Sequence, residues 1–399
     1  MKNQSCFSII LILLALLAGC TSKITESPGT VKQTDKPEIK LPDETRLSTH
    51  VVAHWPNLPG WSEDDLYAAW QAFKQSCSVL RQQLIWQEVC NAATNMQATD
   101  NKSLRMFFEN QFTPYQVIAN DGNKKGLVTG YYEPLLHGSR QPSEHYRYPV
   151  YGAPDELLTI DLGTLYPELK DLRLRGRLDG RRVVPYYSRA EIMSDPTILK
   201  GHELFWVNDE VELFFLQIQG SGRILLESGE IVKVGFADQN GYPYNSIGRI
   251  LVQQGELPLE KASMQGIKQW GQLNPDKLPL LLEQNARFVF FRELPEDLSG
   301  PIGALGVPLT AGRSIAIDPR SIPQGAPVFL ATTWPNTDKP LNRLMVAQDT
   351  GSAIKGGIRV DFFWGYGPEA ASQAGRMKQQ GSIWVLMPNS YTVPQLAQQ

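Results

Sequence analysis

The sequence predicts a mainly β body behind a helical N-terminal part, an α+β chain as a whole. Three observations carry this. Between about residues 62 and 108, apolar side chains recur at steps of three and four, the period of a helix face. From Gly126 onward the pattern changes to short apolar runs with the period of strands. The 33 glycines and 28 prolines suggest many turns between those runs, and strands at this spacing point to a barrel or a sandwich.

Composition narrows the function only by exclusion. The 399 residues carry 38 Lys+Arg against 41 Asp+Glu, a net charge of −3, so there is none of the basic excess that nucleic-acid binding calls for. A hydrophobic share of 42% is that of a globular protein, and the length suggests two domains. Four cysteines are too few for a disulfide scaffold or a zinc array.

The chain opens with Lys2 and the apolar run Phe7–Leu17, far short of the roughly 20 residues needed to cross a bilayer as a helix. A charged head, a short apolar middle and small residues read as a secretory leader over 1–19. Its ending, Leu17-Ala-Gly-Cys20, matches the lipobox of bacterial lipoproteins, in which the cysteine is lipidated; the alternative is a plain leader that happens to contain Cys20. The lipid on Cys20 would attach the chain to a membrane, and Thr21, which is not Asp, favours the outer membrane, facing the periplasm. Residues 20–46, rich in Thr, Ser, Lys, Glu, Asp and Pro, read as a solvated tether.

Ser62-Glu-Asp-Asp65 resembles a capping box opening a first helix, whose face is Leu66, Trp70, Phe73, Cys77 and Leu80. A second helix is expected from Leu84 to Met96 and a third from Asp100, a plausible N-cap. Cys77 and Cys90 fall near the turn between the first two. In an oxidising compartment they suggest one disulfide, with two separate buried thiols as the alternative. Strands are expected at 126–132, 203–207 and 211–218, with a hairpin at 223–234. A helix is expected at 274–284, then strands at 286–292, 314–317, 326–331, 343–347, 359–363 and 383–386.

The five histidines form no convergent metal set, and neither a Gly-x-Ser-x-Gly elbow nor a phosphate loop occurs, so no metal or cofactor is expected. Three aspartates end or punctuate strands: Asp318 before Pro319, Asp349 in Gln-Asp-Thr-Gly, and Asp361 in Arg-Val-Asp-Phe-Phe-Trp. An ionised carboxylate among apolar neighbours is costly, so Asp361 should keep its proton to higher pH than usual, as a general acid must. Asp318 reads rather as an Asx turn than as a catalyst, and Asp349 rather as the support of the glycine-rich loop Gly351–Gly357 than as a direct proton carrier. Asp349-Thr-Gly-Ser352 also matches the aspartic peptidase signature, but those enzymes need two such loops and the chain has one.

The segments Thr129-Gly-Tyr-Tyr-Glu-Pro134, Phe215-Leu-Gln-Ile-Gln-Gly-Ser-Gly222, Asn240-Gly-x-Pro-Tyr244 and Ala316–Gly365 resemble the "three-aspartate" (3D) proteins of the bacterial cell wall, and within them the membrane-bound lytic murein transglycosylase A family. The resemblance implies a double-psi β-barrel domain, here 47–133 and 284–399. A smaller inserted β-barrel-like domain would span 134–283, with a groove between the two. It implies cleavage of the β-1,4 bond between N-acetylmuramic acid and N-acetylglucosamine in peptidoglycan glycan strands, leaving a 1,6-anhydro end. Asp361 would be acid and then base, with Asp349 and Asp318 beside it. Thr129, Tyr131, Gln217, Gln219, Gly220 and Gly351 would bind substrate; Trp364 would either stack on a sugar or belong to the core. A monomer is expected, and the protein partners that arise are cell-wall synthases or scaffolds. A two-carboxylate hydrolytic glycosidase and a non-catalytic peptidoglycan-binding lipoprotein remain as alternatives.

Overall fold

A computed structural model describes residues 47–97, 100–169, 172, 174–351 and 353–391; the leader, Cys20, the tether and Ser352 lie outside them. After the strand β1 (Ser48–Val52) come the three helices α1 (Tyr67–Leu80), α2 (Leu84–Asn95) and α3 (Asn101–Gln111). Asp100 caps α3 by accepting from the Ser103 amide at 2.7 Å. The first helix begins later than its apparent capping box. Ser62 lies in a 3-10 turn, Trp61–Glu63, and α1 starts at Tyr67 with no side-chain cap. Asp64 is occupied elsewhere, in a buried two-pronged pair with Arg313, both bonds at 2.9 Å. Trp70, Phe73, Phe107 and Phe108 pack on one another largely edge-to-face or tilted, which locks α1 to α3.

Cys77 of α1 and Cys90 of α2 are joined by a disulfide, 13 residues apart. Closing a loop of that size in the unfolded chain stabilises by about 3 kcal/mol. The Cys77→Ser, Cys90→Ser protein should therefore unfold at lower denaturant by roughly that free energy, read from its chemical denaturation midpoint.

Next come β2 (Phe112–Ala119), β3 (Gly126–Glu133), β4 (Leu135–Ser139), β5 (Tyr148–Tyr151), β6 (Leu158–Ile160), β7 (Leu174–Asp179), β8 (Arg182–Pro185), α4 (Arg189–Ser194), β9 (Glu203–Val207), α5 (Glu210–Gln219), β10 (Ser221–Leu226) and β11 (Ile231–Gln239). The chain continues through α6 (Ile247–Gln253), α7 (Met264–Leu273), α8 (Leu278–Glu283), β12 (Val289–Glu293), β13 (Ser314–Ile317), β14 (Pro327–Thr333), β15 (Pro340–Thr350), β16 (Arg359–Tyr366), α9 (Pro368–Arg376) and β17 (Lys378–Pro388).

The molecule is mainly β. One sheet runs β1-β2-β17-β14-β15-β13-β16-β3, and β3 also pairs with β17. That last pairing closes β17, β14, β15, β13, β16 and β3 into a six-stranded barrel, which the family resemblance led one to expect. Its interior holds Val128, Ile315, Ile317, Val328, Leu330, Val360 and Phe362, and the three N-terminal helices share the same core. A second sheet, β12-β11-β10-β4-β9-β5, has its own core around Leu136, Phe205, Ile224, Val234 and Phe291. A third, β6-β7-β8, is small.

Three expectations need correction. Residues 211–218 are not a strand but the body of α5, capped by Asp209, which accepts from the Glu212 amide at 2.9 Å, and ended by Gly220 at φ 79°. The helix expected over 274–284 is confined to Leu278–Glu283, because Asn274 ends α7 and Pro279 sits in the first turn of α8. The strand expected at 286–292 pairs as β12 with β11, so the chain is still in the second sheet there and rejoins the barrel only after Glu293.

Candidate active site

Strand periodicity puts alternate residues on opposite faces. Ile315, Ile317, Val360, Phe362 and Val128 point into the barrel, so Ala316, Asp361 and Thr129 face outward. Register aligns them further. Asp349 pairs with Ala316, Ala316 with Asp361, Asp361 with Thr129, and Thr129 with Lys378, one row across β15, β13, β16, β3 and β17. Alanine between the two aspartates leaves the space over β13 open. Tyr131, two residues beyond Thr129 and packed on Phe363 with ring centres 5.1 Å apart, reaches across to Asp349.

The two aspartates are held differently. Asp349 is held through both oxygens: Oδ1 accepts from the Ala304 and Thr350 amides, each at 2.9 Å, and Oδ2 from the Tyr131 hydroxyl at 3.0 Å. Burial nonetheless raises its pKa. Burial beside Asp349 and Asp361 pushes the Tyr131 phenol well above its usual value, so it stays a donor. Asp361 has one anchored oxygen, Oδ1, which accepts from the Thr129 hydroxyl at 2.5 Å; Oδ2 has no hydrogen-bond partner among the described residues. Burial pushes the Asp361 carboxyl up to about 6, against the pull of the Thr129 bond and the Arg359 cation and with a small push from Asp349. The result is a half-buried carboxyl that is protonated in mildly acidic solution and has one free oxygen.

Asp318 is placed otherwise. It is 1% exposed and clasped by Arg320 at 3.0 and 2.7 Å, and it accepts from the Gly356 amide at 3.0 Å. Burial would raise its pKa, but Arg320 and the two backbone amides outweigh it and hold the carboxyl below its usual value. That is the geometry of a clamp on the glycine-rich loop and not of a proton donor. Arg320→Ala should loosen this loop, seen as faster amide hydrogen exchange over 351–357.

Of the other residues singled out, Gln217 is buried inside the second sheet's helical layer, hydrogen-bonded to Arg189. Gln219 and Gly220 end α5, which packs on β3, but among the described residues no bond ties either to Asp361. Gly351 follows the aspartate loop directly, and a Cβ there would meet Ile354 Cγ1 at 2.7 Å. Trp364 is core. Its ring packs on Phe362 and Trp334, with centres 4.6 and 5.3 Å away, and its Nε1 lies 2.6 Å from where a Cβ on Gly130 would stand. Gly130 and Thr129 point to opposite faces, so Trp364 is behind the sheet that carries Asp361. Arg359, which donates to Thr129 Oγ1 at 2.9 Å, was not singled out, although its place two residues before Asp361 puts it on the same strand face. Among the described residues no group of three or more His, Cys, Asp or Glu is placed to hold a metal ion.

Two family models match this chain: the MltA specific insert domain over residues 127–292 and the 3D domain over 313–387, which takes in all three aspartates. A membrane-bound lytic murein transglycosylase A of Escherichia coli K12 is 32% identical over 395 residues, covering 94% of this chain and 93% of that protein. The chain belongs to the membrane-bound lytic murein transglycosylase A family. Its fold agrees. The crystal structure of MltA from Neisseria gonorrhoeae superposes with a TM-score of 0.77 at 40% identity, covering 86% of this chain and 94% of that one. The Escherichia coli MltA structure with bound chitohexaose gives a TM-score of 0.63 at 28% identity over 88% and 96% of the two chains. The family's members are enzymes of the lytic transglycosylase class, and the Asp361 row lies where both family models meet the barrel.

Proposed function

We propose that the chain cleaves the β-1,4 bond between N-acetylmuramic acid and N-acetylglucosamine in peptidoglycan and releases 1,6-anhydromuramoyl ends. The observation that carries this reading is the asymmetry of the two carboxyls: Asp361 has a raised pKa and an open oxygen, whereas both oxygens of Asp349 are already hydrogen-bonded. A hydrolytic glycosidase needs a second carboxylate free to act as base or nucleophile. One acid suffices when the nucleophile is the muramyl 6-hydroxyl, carried by the ring under attack, because the intramolecular geometry supplies the effective concentration. Asp361 Oδ2 gives its proton to the leaving O4 as the C1–O4 bond breaks. The 6-oxygen then bonds to C1 and its proton passes to the Asp361 carboxylate. No water is consumed, and the enzyme ends as it began.

The test is product mass from isolated sacculi. Transglycosylation leaves ends one water lighter than hydrolysis does, so reducing ends of hydrolytic mass would favour the two-carboxylate glycosidase, and wall that is bound but not solubilised would favour a non-catalytic binder. Because the acid form of Asp361 starts the reaction, activity should fall as pH rises above about 6.

The domain division belongs to the same proposal: a barrel domain from 47–133 and the C-terminal part, the inserted domain between, and glycan strands bound along a groove between them, lined by Thr129, Tyr131, Gln219, Gly220 and Gly351. The chitohexaose in the Escherichia coli structure supports a glycan ligand. The name membrane-bound borne by the relatives, with the lipobox at Cys20, supports lipid anchoring to the outer membrane on its periplasmic face. The Cys77–Cys90 disulfide suits that compartment. Cys20→Ser should move the protein from the membrane to the soluble periplasmic fraction on cell fractionation.

A further inference from the structure

Arg359, Thr129 and Asp361 form a hydrogen-bonded chain, and the direction of its first bond is fixed by chemistry. A guanidinium has donors only. Arg359 Nη2 donates to Thr129 Oγ1 at 2.9 Å, so the Thr129 oxygen is the acceptor in that bond. Toward the Asp361 carboxylate the Thr129 hydroxyl is the donor, to Oδ1 2.5 Å away, a length typical of a hydroxyl on a carboxylate. Arg359 itself is fastened by a 2.6 Å bond from Nη1 to the Val360 carbonyl.

We infer that Arg359 is a positioning residue for the reaction: by donating to the Thr129 oxygen it favours donation of the Thr129 hydroxyl to Asp361 Oδ1, and so favours the transferable proton on the open Oδ2. This deepens the reading of Asp361 as the acid and rests on it. The device does two things. It biases the transferable proton toward the open side of the carboxyl, and its positive charge, relayed through an oriented hydroxyl, stabilises the carboxylate that forms once the proton has gone. Without it the burial that raises Asp361 would have less to oppose it, and the carboxyl would be a weaker acid.

The groups that face Asp361 are few. From β3 come Thr129 and the tyrosine Tyr131, from β15 Asp349, and from its own strand Arg359. Strand β13 contributes only Ala316 opposite, and Asp318 beyond its end is neutralised by Arg320. Lys378, the register partner of Thr129 on β17, and Glu369 and Arg376 on α9 are exposed, so solvent screens them.

The experiment reads the Asp361 carboxyl directly, by ¹³C NMR titration of aspartate-labelled protein, with the resonance assigned by its absence in Asp361→Asn. In Arg359→Ala the Asp361 titration should move upward by roughly one unit, a tenfold gain in proton affinity. The alkaline limb of the kcat profile on glycan strands should move with it while KM stays within about twofold. Arg359→Lys, which keeps the charge, should restore most of the shift, and Thr129→Ser should titrate like the parent while Thr129→Val moves upward. An unchanged Asp361 titration in folded Arg359→Ala overturns the inference. If that variant does not fold, an unchanged titration in Thr129→Val does so. Should Asp361→Asn keep full activity, the acid assignment falls, yet the carboxyl titration still decides whether the relay exists, so the two failures are told apart.

Discussion

Asp361→Asn is expected to lower the rate of soluble muropeptide release by about 10² to 10⁴, the usual worth of a positioned general acid, with glycan binding retained. The same substitution should make the protein more stable at neutral pH. The folded carboxyl titrates near 6 and the unfolded one near 3.8, so the folded state binds the extra proton. Stability from this group is then greatest below about pH 4, declines as pH rises between the two values, and above about 6 stays lower by about 1–3 kcal/mol. Asparagine cannot ionise and escapes that loss. Thermal denaturation of both proteins at pH 4 and pH 7.5 checks this: the variant should gain over the parent only at the higher pH. An acid held in a costly environment is one that the fold keeps for chemistry and not for stability. Equal activity in the parent and Asp361→Asn would remove the mechanism proposed above.

Arg313→Met should cost about 3–5 kcal/mol, the range for breaking a buried ion pair and stranding one charge. Arg313 and Asp64 are 7% and 8% exposed, bonded through two 2.9 Å contacts, and Asp64 also accepts from the Leu344 amide at 2.6 Å. Asp64 lies just ahead of α1, Arg313 just ahead of β13, and Leu344 within β15, so one carboxylate ties the N-terminal helices to the two strands that carry Ala316 and Asp349. The loss should appear as a lower urea midpoint at unchanged slope. Replacing both partners, Asp64→Leu with Arg313→Met, should recover a large part of it, since no buried charge is then left without a partner.

What the sequence made legible follows from how regular each local signal is. Asp100 sits in extended backbone before an amphipathic run, and α3 begins there. Ser314–Ile317 is apolar between polar and turn residues, and it is a strand to the residue. The α5 segment misleads because it is wrapped on most sides: Val211, Leu213, Phe214, Leu216 and Gln217 are all buried, so no polar stripe marks the helical period. Asp209 and Gly220, a cap at each end, were the better guide. At the site, Asp361 stands out as a carboxylate amid Val360, Phe362 and Phe363, and Thr129 and Tyr131 come with a recognisable motif. The row that joins them does not, because strand register is a long-range property: Thr129 and Asp361 are 232 positions apart. The role of Trp364 was hidden for the same reason, since the face it occupies depends on Gly130 of a distant strand.

The barrel is closed by its last strand. β17 pairs through Lys378–Gly381 with β3 and through Ser382–Val385 with β14, and it is the last strand of the described chain. Until it is in place β3 has only β16 beside it, and the barrel is open along that seam. Such far-apart contacts also form slowly. Asp361 lies on β16, and only α9 and β17 follow it, so the aspartate and the closing strand both come at the end of the described chain. A chain that stops before Lys378 cannot close the barrel, and its β3 is left as an edge strand.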